Sequence, residues 1–242
     1  MNLLSGFRAG LLISAIVLGG CATRPTIIEV APGIVVVPGS QARYEVVAGR
    51  NADLVARMRA APAPAQPRVS DGNTRGGDEN FLREQGLVEI GIGYFPAADA
   101  NAARQQAVQR GIKVGADVVQ VYAPAVDSQA SNPPELVATY FVRLQLPFGA
   151  DFRDLTADER QSLGQGGVEI GNVIGRTPAS AANLRSGDYI LKVNRTPIKD
   201  KVAFQTLLQS HMGRNVTLTI RRGKVTLKRL IRLGTLPAAP AQ

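Results

Sequence analysis

His211 is the only histidine in this 242-residue chain, so a general acid or base with an unperturbed pKa near neutrality has to be this side chain. Hydrolysis by a Ser-His-Asp set needs the imidazole beside a nucleophilic serine, with a carboxylate to orient it and donors for the oxyanion. Nothing in the sequence suggests that assembly. His211 instead continues the apolar stripe of Phe204 and Leu207, at a helix end where positive charge is favoured. Asp117 follows Gly115 and Ala116 and reads as a helix-to-strand turn residue rather than a site residue. No phosphate-binding loop, no carboxylates paired at a catalytic spacing and no clustered metal ligands appear in the sequence, so no cofactor and no metal are expected.

The start of the chain carries Arg8 and then an apolar run over residues 9–18, too short to span a bilayer as a stable helix. Residues 1–20 therefore read as a secretory signal. Leu18, Gly19 and Gly20 precede Cys21, the only cysteine. This run resembles the lipobox of bacterial lipoproteins. The resemblance implies cleavage before Cys21, a diacylglyceryl thioether on its sulfur and an acylated new amino terminus; an ordinary cleaved signal with a chance cysteine is the alternative. Two or three acyl chains at about 0.8 kcal/mol per buried methylene would anchor the chain stably. Ala22 follows, rather than an aspartate, which favours an outer-membrane anchor facing the periplasm. With Cys21 lipidated, no thiol is left for disulfides, thiolate catalysis or zinc, and stability must come from packed cores.

Charge is unevenly spread. Residues 21–145 carry 12 basic and 12 acidic side chains, whereas residues 146–242 carry 15 and 7, so the positive excess sits in the C-terminal part. Arg221, Arg222, Lys224, Lys228, Arg229 and Arg232 supply much of it. They lack interleaved stacking aromatics and a binding motif, which argues against nucleic acid as the partner. A solvated strand face, or attraction to anionic headgroups or acidic partners, accounts for them better.

Residues 21–84 read as a mostly extended, flexible tether. One apolar extended run lies at 34–37, a helical patch at 52–60, then the alternating Ala-Pro run at 61–65 and a polar stretch at 70–79. Residues 85–145 read as a small β-α-β-β domain. It has a strand over 87–94, an alanine-rich helix over 100–113, a buried strand over 118–122 and a long strand over 136–146. It loosely resembles short domains of other envelope lipoproteins that have a Gly-Ala-Asp-Val-Val turn after their helix.

Residues 184–194 read Leu-Arg-Ser-Gly-Asp-Tyr-Ile-Leu-Lys-Val-Asn. A short helix ends, Gly187 turns, and Asp188 leads into a strand that buries Ile190, Leu191 and Val193. Upstream stand Pro147-Phe148-Gly149-Ala150-Asp151-Phe152, a helical segment near 154–160, a strand over 168–174 and Thr177-Pro178-Ala179. Downstream, Asp200 N-caps a helix over 201–211 that Gly213 ends, and a hairpin turns at Arg222 and Gly223. Together these resemble the PDZ domains of HtrA-type periplasmic proteases, here over residues 146–236, with 237–242 as a disordered tail. The fold class is thus α+β: a small β-α-β-β domain followed by a PDZ sandwich or partial barrel with two helices.

The resemblance implies a groove in which a peptide adds as a strand to the edge beginning at Ala150. Backbone amides near Phe148, Gly149 and Ala150 would hold a terminal carboxylate, Asp151 lies in the same edge, and Phe148 and Phe152 would line the last side-chain pocket. Across the groove, Val202, Thr206 and Gln209 would face the peptide and Phe204, Leu207 and Leu208 the core. Leu163-Gly164-Gln165-Gly166-Gly167 is a second candidate carboxylate loop, which would move the edge to residues 168–170. PDZ-bearing proteases, including those with a serine-lysine dyad, also carry a large catalytic domain, for which residues 22–145 are too short. The expected function is a non-catalytic, membrane-anchored periplasmic adaptor that binds peptide C-termini or exposed strands, one form of which regulates an envelope protease or assembly factor. The second reading is a structural lipoprotein whose groove is closed or filled by its own tail at 238–242. The sequence leaves the partner and the oligomeric state open.

Overall fold

A computed structural model of the chain describes residues 41–123 and 134–236, together with residues 28, 29, 35 and 36. The expected signal, the lipidation at Cys21 and the tail at 237–242 lie outside the described residues. The chain divides into two compact units, Met1–Gly39 and Ser40–Gln242. In the first, β1 (Ile28–Glu29) pairs antiparallel with β2 (Val35–Val36), so the apolar run at 34–37 is partly a strand whose partner is local.

The second unit holds two sheets. Its first part comprises β3 (Arg43–Val46), α1 (Ala52–Met58), β4 (Arg68–Asp71), α2 (Arg75–Glu84), β5 (Leu87–Pro96), α3 (Ala100–Val114), β6 (Val118–Tyr122) and β7 (Glu135–Arg143). The strands form one sheet in the order β3-β5-β7-β6-β4, antiparallel except for the parallel pair β4 and β6. Residues 43–84, expected as a tether, therefore contribute two strands and two helices to a five-stranded domain. Both faces of this sheet are covered, which explains why β6 is buried from Val118 to Val121, Gln120 included. Val119 and Val121 face α3 with Ala103, Ala107, Tyr140 and Val142, whereas Val118 packs on the other face with Leu82, Leu87 and Phe141. Asp99 N-caps α3, and Gly115 ends it in a left-handed conformation.

The C-terminal module comprises β8 (Ala150–Asp154), α4 (Ala157–Leu163), β9 (Val168–Val173), α5 (Pro178–Ala181), β10 (Tyr189–Val193), β11 (Thr196–Pro197), α6 (Lys201–Ser210), β12 (Asn215–Arg222) and β13 (Val225–Arg232). Its sheet runs β13-β12-β10-β9-β8, with β11 paired to β10. Each helix start has its chemical reason. Thr156 and Glu159 form a capping box at α4, Thr177 caps α5 ahead of Pro178, and Asp200 accepts from Ala203 N at α6. The core gathers Val168, Ile170, Ile190, Val193, Phe204, Leu218, Ile220 and Ile231, all at most 2% exposed. Within the run at 184–194, Asp188 is fully buried and its carboxylate takes Arg222 Nε at 2.7 Å, Arg222 Nη2 at 2.8 Å and the Arg185 amide at 2.9 Å. That charge is scaffold.

The two sheet domains of this unit touch backbone to backbone. Gly175 N donates to Arg83 O at 2.8 Å, and a Cβ on Gly175 would lie 1.7 Å from the Glu84 carbonyl oxygen. Among the described residues no helix is long and apolar enough to cross a membrane.

Candidate functional site

The loop before β8 is held by its carbonyls. Pro147 O accepts from Gly234 N (2.8 Å), Phe148 O from Ala179 N (2.9 Å) and Gly149 O from Ile174 N (2.9 Å). Neither the Phe148 nor the Gly149 amide finds an acceptor among the described residues. Drawing three successive carbonyls into the scaffold leaves the intervening amides to point the other way. Adjacent unpaired amides of this kind make a concavity that suits an anion. The conformation requires Gly149, whose φ is +88° and whose added Cβ would lie 2.2 Å from Thr177 Cβ.

β8 ends its sheet, so its outer edge is available for another strand. Behind this edge lie three rings packed edge to face: Phe148 to Phe152 at 6.1 Å, Phe148 to Phe204 at 5.5 Å and Phe152 to Phe204 at 4.9 Å. A cavity of about 470 Å3 opens at the foot of β8, lined by residues 146–152, by Gln205, Leu208 and Gln209 of α6 and Met212 just beyond it, and by Leu233 and Leu236. Ala48, Gly49, Arg50, Leu54 and Val88 of the preceding domain complete its wall. Those upstream residues escape a reading of the sequence, because some 60 to 100 positions separate them from the loop and only the docking of the domains brings them there. At the other end of β8, Asp154 Oδ1 accepts from the Lys201 amide at 2.5 Å and ties the strand to the start of α6.

The structure thus brings Phe148, Gly149, Ala150, Asp151, Phe152 and Gln209 to one cavity. Val202 (67% exposed) and Thr206 do not line it; the Thr206 hydroxyl donates to the Val202 carbonyl at 3.0 Å. The stripe facing the cavity is Gln205, Leu208, Gln209 and Met212, a small rotation from the spacing read in the sequence. Phe204 and Leu208 are buried as expected, and Leu207 packs partly on the core.

The glycines at 164–167 serve packing instead. Gly164 ends α4, Gly166 lies where a Cβ would meet Lys199 O at 2.5 Å, and β9 has β8 on one side and β10 on the other, leaving it no edge. His211 caps the end of α6, with Nδ1 2.8 Å from Leu207 O and 3.0 Å from Ser210 Oγ, and Nε2 3.5 Å from Asn194 Nδ2. Asp117 bonds Arg59 Nη2 at 2.5 Å and the Arg143 amide at 2.7 Å, fastening the turn after α3. Among the described residues no group of three or more His, Cys, Asp or Glu side chains is placed to hold a metal.

The edge strand is braced from its far face by Glu159. Arg153 of β8 donates to it twice at 2.8 Å, the Thr156 amide at 2.7 Å and the Tyr189 hydroxyl at 3.1 Å, and Arg153 also contacts Glu169. The Arg153 hydrogen bonds, followed by the Thr156 amide, hold the Glu159 carboxyl down to about 2 from 4.5. A depressed carboxyl stabilises the fold above its ordinary pKa and loses that contribution as pH falls through the folded value. Urea unfolding should therefore show the native protein losing stability relative to Glu159→Gln between pH 4.5 and about 2. Parallel curves for the two proteins would remove the bracing role.

Residues 147–233 match the PDZ domain family model, and together with the sheet order above they form a PDZ domain. The HtrA3 PDZ domain bound to a phage-derived ligand is 24% identical over 36% of this chain and 82% of its own, with a TM-score of 0.32. The HtrA-type protease AlgW with a decapeptide is 16% identical over 49% of this chain and 42% of its own, also with a TM-score of 0.32. The match thus spans less than half the length of AlgW. The search of curated proteins finds no match to the chain.

Proposed function

We propose that the chain is a membrane-anchored periplasmic adaptor whose groove between β8 and α6 captures the C-terminal end, or an exposed strand, of another protein. The observation that carries this reading is the pair of unpaired amides at Phe148 and Gly149, set at the foot of a free strand edge and over an apolar cavity. Each part answers one need of a peptide adding as a strand: amides for a terminal carboxylate, an edge for main-chain hydrogen bonds, and a pocket for the last side chain. No covalent chemistry is assigned to the groove.

An array of short peptides with varied free C-termini, probed with the protein and followed by anisotropy titration, is expected to give saturable binding that favours apolar terminal residues. Absence of binding above background across the array would overturn the reading. The anchor is tested separately. Cys21→Ser is expected to move the protein from the membrane fraction to the soluble fraction, and full retention in the membrane would remove lipidation from the account.

A further inference from the structure

The floor of the binding cavity is not built by the PDZ domain alone. The turn between β3 and α1 brings Ala48, Gly49 and Arg50 to it, and α1 adds Leu54. Arg50 and Asp151 are the charged side chains in its lining. Arg50 is unusually well placed for a long side chain. Its amide closes a turn onto Val47 O at 3.0 Å, with Gly49 in the left-handed region at φ +75°, and the next residue, Asn51, N-caps α1 by accepting from Leu54 N at 2.9 Å. The backbone on both sides of Arg50 is therefore fixed. One guanidinium nitrogen, Nη1, donates to the Glu89 carbonyl, which steadies the fork while leaving its other donors uncommitted. The charged residues that share a cavity with it are Asp151 here, Glu79, Arg83, Glu89 and Asp151 in a small adjoining crevice, and Arg59, Arg110 and Lys113 in a second cavity. Of these, none is within ion-pairing distance of Arg50.

We infer that Arg50, supplied by the upstream domain, binds the terminal carboxylate of a peptide seated in the groove, and that the turn carrying it ends the groove so that a free C-terminus is accepted and a chain running onward is refused. This rests on the peptide-binding reading above and narrows its ligand to chain ends. The Phe148 and Gly149 loop and Arg50 line one cavity supplied by two domains, so that in the inferred pose a terminal carboxylate takes donors from both. Ala48, Gly49 and Leu54 line the same cavity, and in the inferred pose they block the continuation of an internal segment.

The test prints each peptide of the array in three forms, with a free carboxylate, as the C-terminal amide, and extended by several residues, and compares the native full chain with Arg50→Gln and Arg50→Lys. In the native protein the free carboxylate is expected to bind about tenfold or more tighter than the amide, with the extended form weakest. Arg50→Gln should lose most of that ratio while amide peptides bind within about twofold of before, and Arg50→Lys should recover part of it. Equal binding of all three forms by the native protein would overturn the inference and leave the peptide-binding reading standing, and it needs no variant to be folded. An equal loss for free and amidated peptides in Arg50→Gln would assign Arg50 a purely structural role. Failure of every form to bind the native protein would sink the reading itself.

Discussion

Replacing Asp188 with alanine is expected to lower the unfolding free energy of the PDZ domain by about 3–5 kcal/mol, the range for removing one partner of a buried ion pair. Asp188 is 0% exposed and takes three hydrogen bonds, two from Arg222 and one from the Arg185 amide. Alanine leaves the Arg185 amide without an acceptor and Arg222 without its counter-charge. The Arg222 side chain keeps 25% of its surface in water, so the lower half of the range is expected. Asp188→Asn, which still offers the amide an oxygen, should cost less. Urea unfolding followed by circular dichroism reads both, and a loss under about 1 kcal/mol for the alanine variant would mean that the pair is not what holds the run at 184–194 in place.

Gly149→Ala is expected to abolish detectable peptide binding, a loss of at least about a hundredfold, and to destabilise the domain by about 2–4 kcal/mol. Two independent effects add. At φ +88° a residue with a side chain is strained, and the new Cβ would overlap Thr177 at 2.2 Å. Thr177 cannot step aside, because its hydroxyl donates to Ile174 O at 2.5 Å while its side chain caps α5. The loop must turn instead, and the two amides turn with it. Adding Thr177→Ala removes the Oγ1 and Cγ2 contacts but keeps the Cβ at 2.2 Å and the strain, so the double variant should recover little stability and no affinity. Unchanged affinity in a folded Gly149→Ala protein would show that the loop amides do not hold the ligand.

The C-terminal module was legible because its punctuation is local. Thr156 with Glu159, Pro178 after Thr177, Asp200 and Gly213 each mark an end within a few residues, and β12 alternates buried and half-buried positions while β10 buries Ile190, Leu191 and Val193. The first domain was half legible. β4 has four residues and its partner is β6, parallel and some fifty positions away, so nothing near it in sequence signals a strand. α2 opens Arg-Gly-Gly-Asp, a poor helix start on propensity; what holds it is Leu82, 3% exposed against Leu87, Val118 and Phe141. Polar, glycine-rich composition was read as a tether where tertiary burial decides otherwise. The same limit applied to the groove. Residues 148–152 were readable as a contiguous motif, whereas the rotation of α6 about its axis and the arrival of Arg50 are products of packing.

The link from Asp154 to the Lys201 amide gives the groove a second end. Between that link and the cavity wall lies only β8, five residues and roughly 16 Å of extended chain. A guest laid along it meets a ruler: four or five of its residues are read, and anything upstream hangs free in solvent. Recognition then depends on a short tag and is indifferent to the body that carries it, so unrelated proteins sharing a terminal signature would compete for the same seat.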